Sequence, residues 1–385
     1  MRTLSQDPTE DAFVQDPYPF YARARAAGPV VLWEEYGHPM ATTHAAVMEV
    51  LKHRGMGRAI RPAPERPSHL SDFYEIDDAS MLDMEPPDHT RLRGLVLRAF
   101  TARGVAALGP WIEGLCDRLI DELPGGAFDL LPSYAAKVPV LTICHLLGMP
   151  ASDAPDLLRW SNAMVRMYMA GRTAEDERAA NEAARAFGAR LREVIADKRA
   201  RPDGALLSQL IEARDGADRL SERELIGTVV LLLNAGHEAT VHALGNGVKA
   251  LLERGMAPGD PESATEEILR FDPPLHLFTR FAYEDVEIAG IRIRAGTEVG
   301  ALLASAGRDP AVHADPDTFD PNRPGKAHAA FGAGIHFCVG APLARLEMRV
   351  ALERLFARRP DLRLTKTPRY APVYHFHGLK RLMVD

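Results

Sequence analysis

Hydrophobic positions recur at the three-to-four spacing of helices over most of this chain. Asp16-Pro17-Tyr18-Pro19 marks a turn, residues 20–27 predict a short helix stopped by Gly28-Pro29, and residues 30–33 predict a strand. Between Arg58 and Asp83 the periodicity gives way to Pro, Ser and Asp, and a long loop is expected there; loops of that length usually serve a function. Helical periodicity resumes at His89 and dominates to about Arg254, with turns at Pro124-Gly125-Gly126, Pro150 and Pro202-Asp203-Gly204. The longest predicted helix opens at Ser221, where Glu224 three residues on completes a capping box, and continues to about Arg254. At 1.5 Å per residue it spans roughly 50 Å. Gly236 in its middle costs about 1 kcal/mol of helix propensity, which points to a close approach by another group or to a local opening. From Arg280 the period shortens to two: residues 286–293 alternate before a turn at Ala295-Gly296, and residues 373–376 and 381–384 predict short strands. The expected class is mainly α with a minor β portion.

Composition narrows the reading without naming it. The chain has 385 residues, 46% hydrophobic and 26% charged, the values of an ordinary globular protein. Neither a low-complexity linker nor an internal repeat divides it, so one body over residues 1–385 is expected. A net charge of −7 gives no reason to expect nucleic acid. Residues 1–14 lack the basic and apolar regions of a signal peptide, and the best apolar run, 226–235, is too short to span a membrane, so no anchor is expected. Three widely spaced cysteines, Cys116, Cys144 and Cys338, fit neither a disulfide framework nor a paired-cysteine metal knuckle, and a reducing cytoplasm is the expected compartment.

The chemistry concentrates near the C-terminus, in Phe331-Gly332-Ala333-Gly334-Ile335-His336-Phe337-Cys338-Val339-Gly340, with a helical run following from Ala341. A lone cysteine in a glycine-rich loop at a helix N-terminus suits a metal that takes one protein sulfur, because loop N–H groups and the positive helix end favour thiolate. At this spacing residues 331–340 resemble the haem-binding loop of the cytochrome P450 family. The resemblance implies haem b as cofactor, Cys338 as iron ligand, Phe331, Gly332 and Gly340 shaping its loop, and a single compact triangular domain whose long helix crosses over the haem.

Other motifs follow in the family's order. Ala235-Gly236-His237-Glu238-Ala239-Thr240 resembles the oxygen-activation motif, where Gly236 makes room above the iron and Glu238 serves proton delivery. Ala239 departs from the family pattern, which has Thr there. Thr240 lies about 100° further round a regular helix, so a helix distortion, a substrate hydroxyl or an ordered water is expected to complete the relay, with His237 beside it. Glu267-Ile268-Leu269-Arg270 with Arg323 resembles the family's structural ion network. His89, Arg93, Arg280 and His336 resemble the haem-propionate clamp, since two carboxylates need several cationic donors. The substrate pocket is expected to include Phe73, Met164, Met167, Leu275, Phe278, His375 and Phe376. His276, His375 and His377 suggest a substrate with oxygen functions.

The implied activity is that of a monooxygenase acting on an apolar or partly oxygenated small molecule, monomeric, with electrons from a separate ferredoxin or flavodoxin and its reductase. A peroxide-using or NO-reducing relative, and a non-enzymatic haem sensor or carrier, are the alternatives.

Overall fold

A single helix, Glu222–Leu252, runs through the molecule, and seven other α-helices pack against it. The structure is a computed structural model that describes residues 1–169, 171–215, 218–374 and 376–385. The Ser221 hydroxyl accepts from the Glu224 N–H while the Glu224 carboxylate accepts from the Ser221 N–H, so the helix starts where its capping box predicts. It ends at Leu252, two residues short of the expected stop. Apolar side chains on nearly every face bury it, as expected of a helix without a polar side.

The expected loop over residues 58–83 is partly helical. A 3₁₀ turn, Ser68–Leu70, leads into the helix Ser71–Asp77. Leu70, Phe73 and Ile76 bury one short face there, a pattern too brief to stand out among the flanking prolines. This short helix lies directly on the long one. A Cβ on Gly227 would sit 2.8 Å from the Ala79 carbonyl carbon and 2.9 Å from Ile76 O, so only glycine permits the approach.

The β portion is a six-stranded sheet in the order Arg2–Leu4, Val30–Trp33, His38–Ala41, Glu298–Leu302, Leu277–Ala282, Met56–Gly57. Glu298–Leu302 pairs antiparallel with Leu277–Ala282, setting Val299 opposite Arg280 and Ala301 opposite Phe278. Residues 286–293 are two strands rather than one. Ala289 (φ 48°) and Gly290 (φ 77°) form the turn between Val286–Ile288 and Ile291–Ile293, and two positive φ values in sequence make the tight hairpin that matches strand twist. At the C-terminus the strands are Arg369–Tyr370 with Leu379–Arg381, and Met383–Val384 with Phe128–Asp129. The expected strand at 373–376 is not formed by the residues described there, and His375 lies outside the described residues. Pro372, which lacks an N–H for a ladder, precedes that segment.

Two buried polar centres fix the C-terminal third. Arg270 forms a bidentate pair with Glu267, both bonds 2.8 Å, and donates to Gly307 O and Pro316 O, each at 2.8 Å. Arg323 lies 3.5 Å from the same carboxylate, donates to Thr318 O at 2.8 Å, and the Asp320 N–H donates to Glu267 at 2.7 Å. Nearby, Asp272 accepts from Tyr18 at 2.6 Å and Tyr370 at 2.5 Å, with His276 and His377 at 3.8 and 3.5 Å. Asn246 of the long helix donates to His377 O at 2.9 Å, which fastens the C-terminal segment to that helix.

Because Glu267 and Arg270 have no solvent exposure, removing one partner strands a buried charge. Glu267→Ala is expected to cost about 3–5 kcal/mol in denaturant unfolding of the haem-loaded protein. The exposed helical pair Arg178–Glu182, cut in the same way, is expected to cost far less, because solvent screens it. Equal losses would contradict the role given to burial.

Candidate active site

The cysteine loop forms the floor of a cavity of about 1230 Å³. Gly334 (φ 73°) turns the chain where a Cβ would meet Leu51 O at 2.6 Å, so glycine is needed for both conformation and space. The Cys338 N–H donates to Phe331 O at 3.0 Å, closing the loop, and the helix Ala341–Arg358 begins three residues on. Phe331, His336, Cys338 and Gly340 line the cavity; Gly332 (φ 68°) instead packs beneath the Phe278 ring. Burial pushes the Cys338 thiol up, while the Gly340 and Ala341 N–H groups and the Arg93 and Arg345 guanidiniums pull the other way. The helix end therefore acts in the expected direction, but burial outweighs it.

The long helix forms the opposite wall. Gly236, Ala239 and Thr240 face the cavity, and Glu238 does not line it. The helix stays unbroken through Gly236; the close approach there is Ile143, whose Cδ1 would lie 2.9 Å from an added Cβ. Thr240 Oγ1 donates to Gly236 O at 3.0 Å, so its proton is already used within the helix. Glu238 turns toward His242, one turn along, with 3.8 Å between carboxylate and Nε2. Glu238 Oε2, His242 Nδ1 and Asn246 Oδ1 are buried and have no hydrogen-bond partner. At i, i+4 and i+8 these form one polar stripe. His237, beside it, is held near 4 by burial and is neutral at physiological pH.

The third wall is cationic. His89 packs against His336 with ring centroids 4.4 Å apart and planes tilted by 49°, and burial beside His336 and Arg93 lowers His89 to about 4. Arg93 donates to Phe337 O at 2.6 Å. Arg280 is buried, lies behind the lining residues, and its hydrogen bond is to the carbonyl of Thr279 at 2.7 Å. Burial, reinforced by Arg58, lowers Arg280 to about 10. No acid lies within ion-pair distance of Arg280 or Arg93 among the described residues. A buried guanidinium without an anion is costly, so this wall calls for a dianionic ligand. The carboxylates of haem b satisfy that demand, and one sulfur faces the same cavity; the residues fit the cofactor.

Phe73, Met164, Met167, Leu275, Phe278 and Phe376 line the remaining, apolar part. His276 and His377 do not; they belong to the Asp272 centre, and their polarity says nothing about substrate. Sequence reasoning missed four groups. Arg58 lines the cavity from the proline-rich segment, where one arginine carries no signal. Glu85, 3.2 Å from His336, is equally silent in sequence. Glu347 is buried, pushed up to about 8 by desolvation, and lines the cavity from the helix after Cys338. His242 was legible through its i, i+4 spacing from Glu238.

Residues 262–358 match the family model for Cytochrome P450. The chain is 42% identical over 375 residues to the Vitamin D(3) 25-hydroxylase of Pseudonocardia autotrophica, covering 94% of this chain and 91% of that protein. It is 36% identical to the Cytochrome P450 monooxygenase PikC of Streptomyces venezuelae, covering 97% and 91%. A crystal structure of P450BioI in complex with a fatty-acyl-ligated Acyl Carrier Protein superposes with TM-score 0.91 at 31% identity, covering 97% and 98%. The chain belongs to the cytochrome P450 family. It binds haem b and is a haem-thiolate monooxygenase, an oxidoreductase that incorporates oxygen from O2 into a small molecule. Among the described residues, no helix is long and apolar enough to cross a membrane.

Among the described residues no acid pairs with Arg93 or Arg280, so their loss is expected to reach the cofactor first. The Arg93→Ala, Arg280→Ala double variant is expected to retain less haem, read as Soret absorbance per protein, with substrate preference of the loaded fraction little changed. Full haem content would contradict the wall's assignment.

Proposed function

We propose that residues 1–385 act as one catalytic unit in which Cys338 is the sole protein ligand to iron, and His89, Arg93, Arg280 and His336, joined by Arg58, hold the haem carboxylates. The observation that carries this reading is the facing of Cys338 and of Gly236 and Ala239 across one cavity bordered by Arg93 and Arg280, which have no ion pair among the described residues. Bound haem supplies dioxygen activation and transfer of one oxygen atom into a C–H or C=C bond, with sulfur donating electron density. The chain's own residues do the rest. Phe73, Met164, Met167, Leu275, Phe278 and Phe376 exclude water and orient an apolar substrate. Glu238 receives protons from solvent and passes them toward the cavity, with His242 beside it. Reorienting the pair from 3.8 Å to about 2.9 Å would complete a hydrogen bond between them.

Ala239 removes the hydroxyl that would otherwise end this route, and Thr240 has committed its proton to Gly236 O. A substrate hydroxyl or carbonyl, or an ordered water, completes the path. Electrons come from a separate ferredoxin or flavodoxin. Exposed Leu97, Ile335 and Phe337 lie on the segments that carry Arg93 and Cys338, an apolar contact suited to such a partner. The protein acts as a cytoplasmic monomer. Relatives named as hydroxylases and monooxygenases weigh against the peroxide-using, NO-reducing and carrier readings.

Two experiments test this. Replacing Cys338 with His is expected to abolish the thiolate-type Soret band of the reduced carbon-monoxide complex, whereas Cys116→Ser and Cys144→Ser leave it in place; a retained band in Cys338→His would sink the ligand assignment. Product formed per electron consumed is expected to be high only for substrates carrying a suitably placed oxygen group. Analogues without it are expected to bind and waste electrons as hydrogen peroxide, with proton-transfer losses of roughly a hundred- to ten-thousand-fold in rate. Ala239→Thr then restores their coupling. Equal coupling in all combinations would mean that ordered water suffices.

A further inference from the structure

One carboxylate in the cavity wall has no counterpart in the reaction. Asp77 closes the helix Ser71–Asp77 and lines the cavity. Its Oδ1 accepts from Tyr168 at 2.6 Å. The charged neighbours along this wall are otherwise engaged. Asp83 pairs with Arg58 at 3.1 Å, Asp176 with Arg166 at 2.5 Å, Arg172 with Glu177 at 3.2 Å, and Arg66 with Asp78 at 2.6 Å. Asp77 has no ion pair among the described residues. Two aromatic rings that line the same wall, Phe73 and Tyr168, lie 6.3 Å apart. A largely buried carboxylate is costly unless a cation meets it, and aromatic faces add attraction for an ammonium group.

We propose that Asp77, with Phe73 and Tyr168, is the subsite for a tertiary or quaternary ammonium group carried by the substrate. This rests on the monooxygenase reading and names a substrate class for the same cavity. The fold also sets the spacing. The segment carrying Asp77 packs on the long helix at Gly227, and Gly236, which also lines the cavity, lies nine residues further along that helix. Nine residues of helix place them about 13 Å apart along its axis. The ammonium head therefore anchors an apolar body whose far end meets the iron side of the cavity.

The groups facing Asp77 are Tyr168, Asp78, Asp83 and Arg66; the long helix presents the apolar Gly227 and Leu231 to this part of the cavity. Desolvation raises the Asp77 carboxyl to about 6, with the Tyr168 hydrogen bond opposing it. Below that pH the subsite is neutral, and above it the subsite is anionic. The cation preference is therefore present above pH 6 and fades as pH falls through it.

The test uses the haem-loaded protein and three probes of one chain length, each below its micellar concentration: dodecyltrimethylammonium, dodecan-1-ol and dodecanoate. The quaternary head cannot ligate iron, so the spin-state shift reads binding alone. The cation is expected to bind about tenfold tighter than the alcohol, the order of a partly shielded charge contact, and the anion weakest. Asp77→Asn is expected to remove that advantage, and Asp77→Glu and Tyr168→Phe to keep it. Lowering pH from 7.5 to 5.5 is expected to shrink it in the parent and to leave Asp77→Asn unchanged. An Asp77→Asn variant that binds the cation as tightly as the parent overturns the proposal, as does an anion that binds as well as the cation. The reduced carbon-monoxide spectrum is recorded for each variant first: a lost thiolate band would overturn the haem assignment, whereas an intact band with no cation preference overturns only the ammonium subsite.

Discussion

The Glu267 carboxylate is the constraint on which the active site depends. It lies without solvent exposure between two guanidiniums, and its partner Arg270 also ties down carbonyls at Gly307 and Pro316. The segment they hold runs on through Asp320 and Arg323 into the loop that carries Cys338. Unpaired, each of these charges would be prohibitive in the interior. Paired, they leave that segment one low-energy arrangement. The position of Cys338 opposite the long helix is a consequence.

The cavity itself inverts this logic. The structural network is compensated within the protein, but Arg93 and Arg280 in the cavity wall have no ion pair among the described residues. Arg280 is buried with a backbone carbonyl for company, and its neighbour Arg58 repels it. On the proposed assignment the cofactor's carboxylates would complete this wall, so that binding haem and stabilising the wall would be one event. The proposed Asp77 subsite would repeat the principle with opposite sign elsewhere in the cavity wall.

Proton handling is set by which groups the long helix turns inward. Small residues, Gly236 and Ala239, face the cavity, while Glu238, His242 and Asn246 share a neighbouring stripe with buried, unpartnered polar atoms. Helical geometry makes this division unavoidable: adjacent residues point about 100° apart. On the proposed route a proton would pass from the stripe to the cavity, and with Thr240 bonded to Gly236 O the last oxygen would belong to substrate or water.

Much of this was local and so was legible in sequence. The capping box at Ser221, the glycines around Cys338 and the Glu267–Arg270 spacing depend on contacts within a few residues, and each stands where the pattern placed it. The failures were local too where signals were short: the Ser71–Asp77 helix hid among prolines, and the Ala289-Gly290 turn hid inside an alternating run. What only the tertiary structure decided were relations between distant segments. The assignment of His276 and His377 to Asp272 rather than to the cavity, and the lack, among the described residues, of an acid for Arg280 or a base for Asp77, were not read from the sequence. Whether a charge is paired depends on every segment that packs around it, and that is settled only when the chain has closed upon itself.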